Sequence, residues 1–292
     1  MHHPDRRPTL VYLPGIHGDW TLIGRLREQL GDAVRWVEFT YPRTTEHTLQ
    51  DTANGVRAEL GKQGITQAWI LAESFGSQVA WPLVTCNPTT PGSFQAEGLI
   101  LAGGFGTYPS AVLLAFAQWV SRRLGPRAFG APLRGYARLA RRRVHGRPGL
   151  LADVDEFVER RTPQDWAAMQ HRMRLISENH PETLAHGCRV PVHYLTGLLD
   201  PIVPWPPVPH WLRRHCPGFV DWRIVPAADH AVLVTAPAAS ARQILAWIRK
   251  PPPVAARPPN GVFHVPSKVT TERDPPAGAT PSALHPHDSH TG

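Results

Sequence analysis

Ile70-Leu71-Ala72-Glu73-Ser74-Phe75-Gly76-Ser77 is the stretch on which the fold of this 292-residue chain turns. The residues leading into it, Ala68 to Ala72, are all apolar, the pattern of a strand covered on both faces. The run breaks at Ser74, which has a small residue two positions before it, Ala72, and another two positions after it, Gly76. Helical character resumes beyond. A serine displayed on a sharp strand-to-helix turn needs this pattern, because larger side chains at those two positions would strike the neighbouring strand and helix. Ala72 stands where glycine is usual, a difference of one methyl group.

Five more runs read as strands: Thr9–Pro14, Arg35–Thr40, Gly98–Gly103, Pro191–Thr196 and Phe219–Pro226, with Gln67–Glu73 making six. Between them, apolar residues fall at helical spacing in Thr21–Leu30, Thr48–Gln63, the segment after Ser74, and Ala236–Lys250. Strand–helix alternation predicts an α/β fold, with a mostly parallel central sheet flanked by helices and right-handed crossovers. The alternation stops between Thr107 and Arg189, where Ser110–Leu124, Leu151–Arg161 and Pro163–Ser177 read as helices and nothing reads as a strand. This divides the chain into a core (1–106 and 190–250), a helical insert (107–189) and a tail (251–292). The tail holds ten prolines and almost no large apolar residues, so burial cannot offset its ordering entropy and it is expected to be disordered. His285, His287, Asp288 and His290 resemble metal ligands, but such a tail gives no reason to expect a specific site.

Serine alone is a weak nucleophile; it needs a base to take its proton and a third group to orient that base. Asp200 lies in the loop after the fifth strand run and His230 in the loop after the sixth, both beyond carboxyl ends, where open parallel sheets build their sites. Asp200 precedes a proline and also reads as a turn residue; His230 also reads as a helix-terminus residue partnered by Asp229, the rival acid. What raises both is that Ser74, Asp200 and His230 fall independently after the third, fifth and sixth strands. An oxyanion would need two backbone N–H donors. Phe75, following the serine, is one candidate. The other comes from the loop Leu13-Pro14-Gly15-Ile16-His17-Gly18, with Ile16 the first choice and His17 the second.

With these residues on the page, the chain resembles the α/β-hydrolase superfamily over about residues 9 to 250. More narrowly, it resembles a bacterial subgroup with an L-P-G-x-x-G oxyanion loop, an A-E-S-F-G elbow and an H-x-x-L-x-x-x-P stretch after the last strand. Leu13–Gly18, Ala72–Gly76 and His230–Pro237 match these. The resemblance implies that the first two strands of the full superfamily sheet are missing and that the 107–189 insert is a cap shaping a pocket. Phe105, Phe116, Trp119 and Trp166 would then line the pocket or form the cap's own core, the second being the plainer expectation for each. Two departures stand out: His17 replaces the usual Asp, and Pro82 falls inside the helix behind Ser74, where a bend is expected.

The expected activity is that of a carboxylesterase-like serine hydrolase acting on a small-molecule or lipid ester or thioester, with no cofactor and no metal. An acyltransferase on the same three residues, or a non-catalytic binding protein of the same fold, are the alternatives. The formal charge is +8, and Arg122 to Arg147 contains nine arginines and no acidic residue. That run is either a solvated helical face or a contact for anionic surfaces; no nucleic-acid partner is expected. Three widely spaced cysteines, Cys86, Cys188 and Cys216, suit neither a disulfide framework nor a zinc site, and no signal peptide is read at the start, so a cytoplasmic protein with buried thiols is expected.

Overall fold

The structure is a computed structural model, describing residues 7–85, 93–123, 135, 156–157 and 159–249. The tail from 251, Cys86, most of the arginine run, and residues 151–155 and 158 of the expected Leu151–Arg161 helix lie outside the described residues.

Six strands form one sheet: β1 (Thr9–Leu13), β2 (Arg35–Glu38), β3 (Gln67–Glu73), β4 (Gln95–Ala102), β5 (Val192–Gly197) and β6 (Phe219–Val225). Their order is β2-β1-β3-β4-β5-β6 and every pairing is parallel. The chain moves outward from β1 to β2, then returns to the other side of β1 with β3. That reversal opens a crevice at the carboxyl ends of β1 and β3, where ligands bind in open parallel sheets. β4 begins three residues earlier than its apolar run suggests, because Gln95 and Ala96 pair with Gln67 and Ala68.

Side chains alternate across each strand and so feed two cores. Val11, Leu13, Ile70, Ala72, Leu99 and Leu101 pack toward α2 (Leu49–Lys62), α3 (Gly76–Thr85), α6 (Glu182–Gly187) and α7 (Pro207–His215). Leu10, Tyr12, Trp69, Leu71, Ile100 and Leu195 face α1 (Gly24–Leu30), α8 (Val232–Thr235) and α9 (Pro237–Arg249). Helix α1 starts later than its spacing suggests, because Asp19 Oδ1 accepts from the Thr21 N–H and hydroxyl, holding that stretch in a turn. Helix α2 starts where predicted: Thr48 and Asp51 form a reciprocal capping box, a motif worth about 1 kcal/mol. Pro82 lies within α3, and the Arg57 guanidinium donates to the carbonyls of Pro82 and Leu83 near the end of that helix.

Between β4 and β5 the described helices are α4 (Ala111–Arg123), α5 (Pro163–Glu178) and α6. Ala168, Met169 and Ile176 on α5 are buried. Phe116 and Trp119 on α4 are exposed, against the expectation that they form the insert's own core; Phe105 is buried. Cys188 and Cys216 are buried free thiols.

Candidate active site

Ser74 sits between β3 and α3 with φ of 47°, the one non-glycine residue with positive φ among the described residues. For an L-residue such backbone costs on the order of 1 kcal/mol or more, and here it is over-determined. The Ser74 N–H donates to the Ala102 carbonyl at 3.0 Å, and the Ser74 carbonyl accepts from the Ser77 N–H and the Ser77 hydroxyl. The small residues around the serine have direct causes. A Cβ on Gly76 would lie 2.4 Å from the Leu13 carbonyl oxygen, whereas Ala72 fits its methyl into the buried core.

Gln78, one turn into α3, anchors the elbow helix. Its amide donates to the carbonyls of Phe105 and Gly106, and its oxygen accepts from Asn179 just past α5. Below the serine, the buried carboxylate of Glu73 accepts from the Tyr12 hydroxyl of β1. Burial first, and Glu73 second, hold the Tyr12 phenol well above its ordinary value, so it remains a donor.

The structure brings Ser74, Asp200 and His230 together. His230 Nε2 lies 2.9 Å from Ser74 Oγ, and His230 Nδ1 lies 2.8 Å from Asp200 Oδ2. The other carboxylate oxygen of Asp200 accepts from the N–H groups of Ile202 and Val203, both at 2.9 Å. With three donors converging on it, the buried Asp200 carboxylate accepts from the Nδ1–H of His230 and so leaves the Nε2 lone pair facing the serine hydroxyl. The rival acid is engaged elsewhere: Asp229 Oδ1 accepts from Ala231 N–H and the Thr235 hydroxyl at the start of α8. Two glycines allow the histidine loop to approach this closely. A Cβ on Gly103 would lie 2.9 Å from the His230 carbonyl oxygen, and one on Gly197 would lie 2.3 Å from that of Asp229.

The loop after β1 passes over the serine. A Cβ on Gly15 would lie 3.6 Å from Ser74 Cβ and 3.2 Å from the His17 ring. Among the described residues, neither the Ile16 nor the Phe75 N–H donates to a backbone carbonyl. The far side of this loop is held by helix α5. Arg172 donates to the Ile16 carbonyl at 2.9 Å and to the Pro42 carbonyl at 3.1 Å, with its guanidinium 5.5 Å from the Tyr41 ring centroid. Arg161 pairs with Asp19 and donates to the His17 carbonyl at 3.4 Å. Burial opposes the Asp19 charge, but the Thr21 hydroxyl, His17 and Arg161 together bring its pKa below the usual carboxylate value. His17 is pulled below the ordinary imidazole value by burial, with Glu73 opposing, and its enclosed Nε2 has no partner.

Sequence reading missed Arg161 and Arg172. A signal existed for Arg172, three residues after buried Met169 and four before buried Ile176, on the inward face of its helix. Among the described residues no three His, Cys, Asp or Glu side chains gather in a way that would hold a metal.

Comparison with known proteins agrees with this architecture. The profile described as the alpha/beta hydrolase family matches residues 10–243. An esterase from Exiguobacterium antarcticum superposes with a TM-score of 0.67 at 12% identity, over 83% of this chain and 92% of that one. The enol-lactonase from Burkholderia xenovorans LB400 gives 0.67 at 16% identity, over 84% and 92%. A thermophilic esterase from Thermogutta terrifontis gives 0.66 at 20%, over 84% and 90%. No curated protein matches the sequence. At these identities the structural likeness speaks for the fold.

Proposed function

The chain belongs to the alpha/beta hydrolase family, and from that premise we propose that it is a serine hydrolase cleaving an ester-like bond through Ser74, His230 and Asp200. The observation that carries this reading is the unbroken hydrogen-bonded line from Asp200 Oδ2 through both ring nitrogens of His230 to Ser74 Oγ. On this reading His230 Nε2 removes the hydroxyl proton as Ser74 Oγ attacks the carbonyl carbon. The oxyanion is stabilised by the Phe75 and Ile16 N–H groups, preorganised donors of a kind worth about 3 kcal/mol each. His230 returns its proton to the leaving alcohol, and Asp200 stabilises the transient imidazolium. Water, deprotonated by His230, then attacks the acyl-enzyme, and the Ser74 hydroxyl is restored. The helices between β4 and β5 act as a cap, braced on the oxyanion loop by Arg161 and Arg172.

A fluorophosphonate probe tests this directly. The wild-type chain should be labelled and Ser74→Ala should not, and a p-nitrophenyl ester series should show turnover that depends on acyl length. Equal labelling of both proteins, or of neither, refutes the assignment.

A further inference from the structure

Helix α4 is built inside out. Its inward face carries one buried apolar residue, Leu114, and is otherwise polar: Gln118 donates to the Met173 carbonyl and the Ser177 hydroxyl of α5, and the Ser121 carbonyl accepts from Gln170. Its outward face is apolar. Val112, Phe116 and Trp119, spaced four and three residues apart, are 79%, 61% and 53% exposed. A surface helix normally does the reverse, and a contiguous exposed apolar stripe marks an interaction site. Phe116 and Trp119 stack on each other, and Arg123 lies 5.3 Å from the Trp119 ring centroid.

The stripe does not stand alone. The loop carrying Asp200 exposes Leu198, Leu199 and Ile202. The Tyr108 hydroxyl donates to the Ile202 carbonyl, three residues before α4 begins, so the two segments are joined there. Among the described residues, Trp20 is the sole exposed large hydrophobic residue outside these two segments. The helix and the sequence on either side of it carry one sign of charge. Arg122 and Arg123 close the helix, and residues 98–152 of the sequence contain nine arginines, no lysine and no Asp or Glu.

We propose that α4 and the Leu198–Ile202 loop form a docking surface for an anionic lipid bilayer. Apolar rings beside arginines suit the boundary between acyl chains and acidic headgroups, where Trp and Phe insert and guanidinium groups meet phosphate. A helix of 13 residues is too short to span a bilayer and lies along its surface. Among the described residues no helix is long and apolar enough to cross one. The sign of the charge selects acidic over zwitterionic lipid. The inference is independent of the chemistry assigned to Ser74.

Vesicle co-sedimentation of the full chain tests it, with phosphatidylcholine alone compared with phosphatidylcholine containing about one third phosphatidylglycerol. Binding is expected to the mixed vesicles only, and to weaken as salt rises. Phe116→Ser/Trp119→Ser should lower the partition coefficient about tenfold or more, with unchanged circular dichroism. Arg122→Gln/Arg123→Gln should lower it about tenfold; if the apolar pair proves necessary for folding, this second variant carries the test. Several results overturn the proposal: no binding to mixed vesicles, equal binding to both vesicle types, or full binding by the variants. So does a concentration-dependent dimer that the apolar double substitution dissociates, because the face would then serve a second copy of the chain.

Discussion

Replacing Gly76 with alanine perturbs the candidate site through one methyl group whose surroundings are fixed. The added Cβ would stand 2.4 Å from the Leu13 carbonyl oxygen, 2.9 Å from that of Pro14 and 3.0 Å from the Leu13 carbonyl carbon. All three atoms are backbone, so no side chain can swing aside. Leu13 is pinned by its pairing with Ala72 and by complete burial. Restoring ordinary contact requires about 1 Å of separation between the elbow and the end of β1, and overpacking of this kind costs about 1–3 kcal/mol. In a chain of this size about 2 kcal/mol lowers Tm by roughly 4–8 °C. The loop running on from Leu13 and Pro14 carries the Ile16 N–H, so the same displacement moves one proposed oxyanion donor relative to Phe75. A misplacement of about 1 Å costs on the order of 100-fold in rate. The expectation is therefore a kcat for a p-nitrophenyl ester about 100-fold below wild type, a smaller change in KM and a lower Tm by differential scanning fluorimetry. Gly55→Ala is the control: it lies within α2 with nothing inside 4 Å of its added Cβ, and should raise stability by up to about 1 kcal/mol. A Gly76→Ala protein with wild-type kcat and Tm would refute the packing argument.

Two further outcomes follow from the same geometry. Asp200→Asn keeps the shape but presents an amide to His230 Nδ1, favouring the wrong tautomer; kcat should fall by about 10⁴ while KM changes little, and steady-state kinetics reads the split. Burial holds both His17 and His193 below the ordinary imidazole value, against the opposing pull of Glu73 and Asp221 respectively. The unfolded chain therefore binds more protons than the folded one as pH falls through about 6.5, and stability should drop toward pH 5.5 by up to about 1.4 kcal/mol per pH unit for each group. Urea midpoints at pH 7.5 and 5.5 measure this. His193→Phe, which keeps an aromatic ring stacked between Trp69 and Trp247, should reduce the difference; an unchanged difference would assign the pH response to other groups.

The sheet was legible because strands buried on both faces must be apolar almost throughout, and β3 matches its run residue for residue. The positions of Ser74, Asp200 and His230 were legible for a related reason: each follows a recognisable strand. Helix α7 was not anticipated. Its sequence, Pro-Val-Pro-His-Trp-Leu-Arg-Arg-His, opens with two prolines that read as loop, though proline is tolerated in a first helical turn. Phe116 and Trp119 were misjudged because periodicity reports that a stripe exists, not which way it faces. For α4 the direction is set by Gln118 and Ser121 bonding to a helix some 50 residues further along the chain. Arg172 escaped notice because a cation on a buried face looks like an error in the pattern until its two carbonyl acceptors, from distant loops, are known.

The guanidinium groups of Arg161 and Arg172 tie the insert to the loop that carries the proposed oxyanion donor. The carbonyls of Ile16 and His17 are steered by a segment that joins the chain some 90 residues after them. An insert transplanted from another protein of this fold would bring a new pocket but leave the turn after β1 without its clamp. Redesign of substrate preference here must therefore preserve Arg172 on α5 and Arg161 just before it, whatever else in the insert is exchanged.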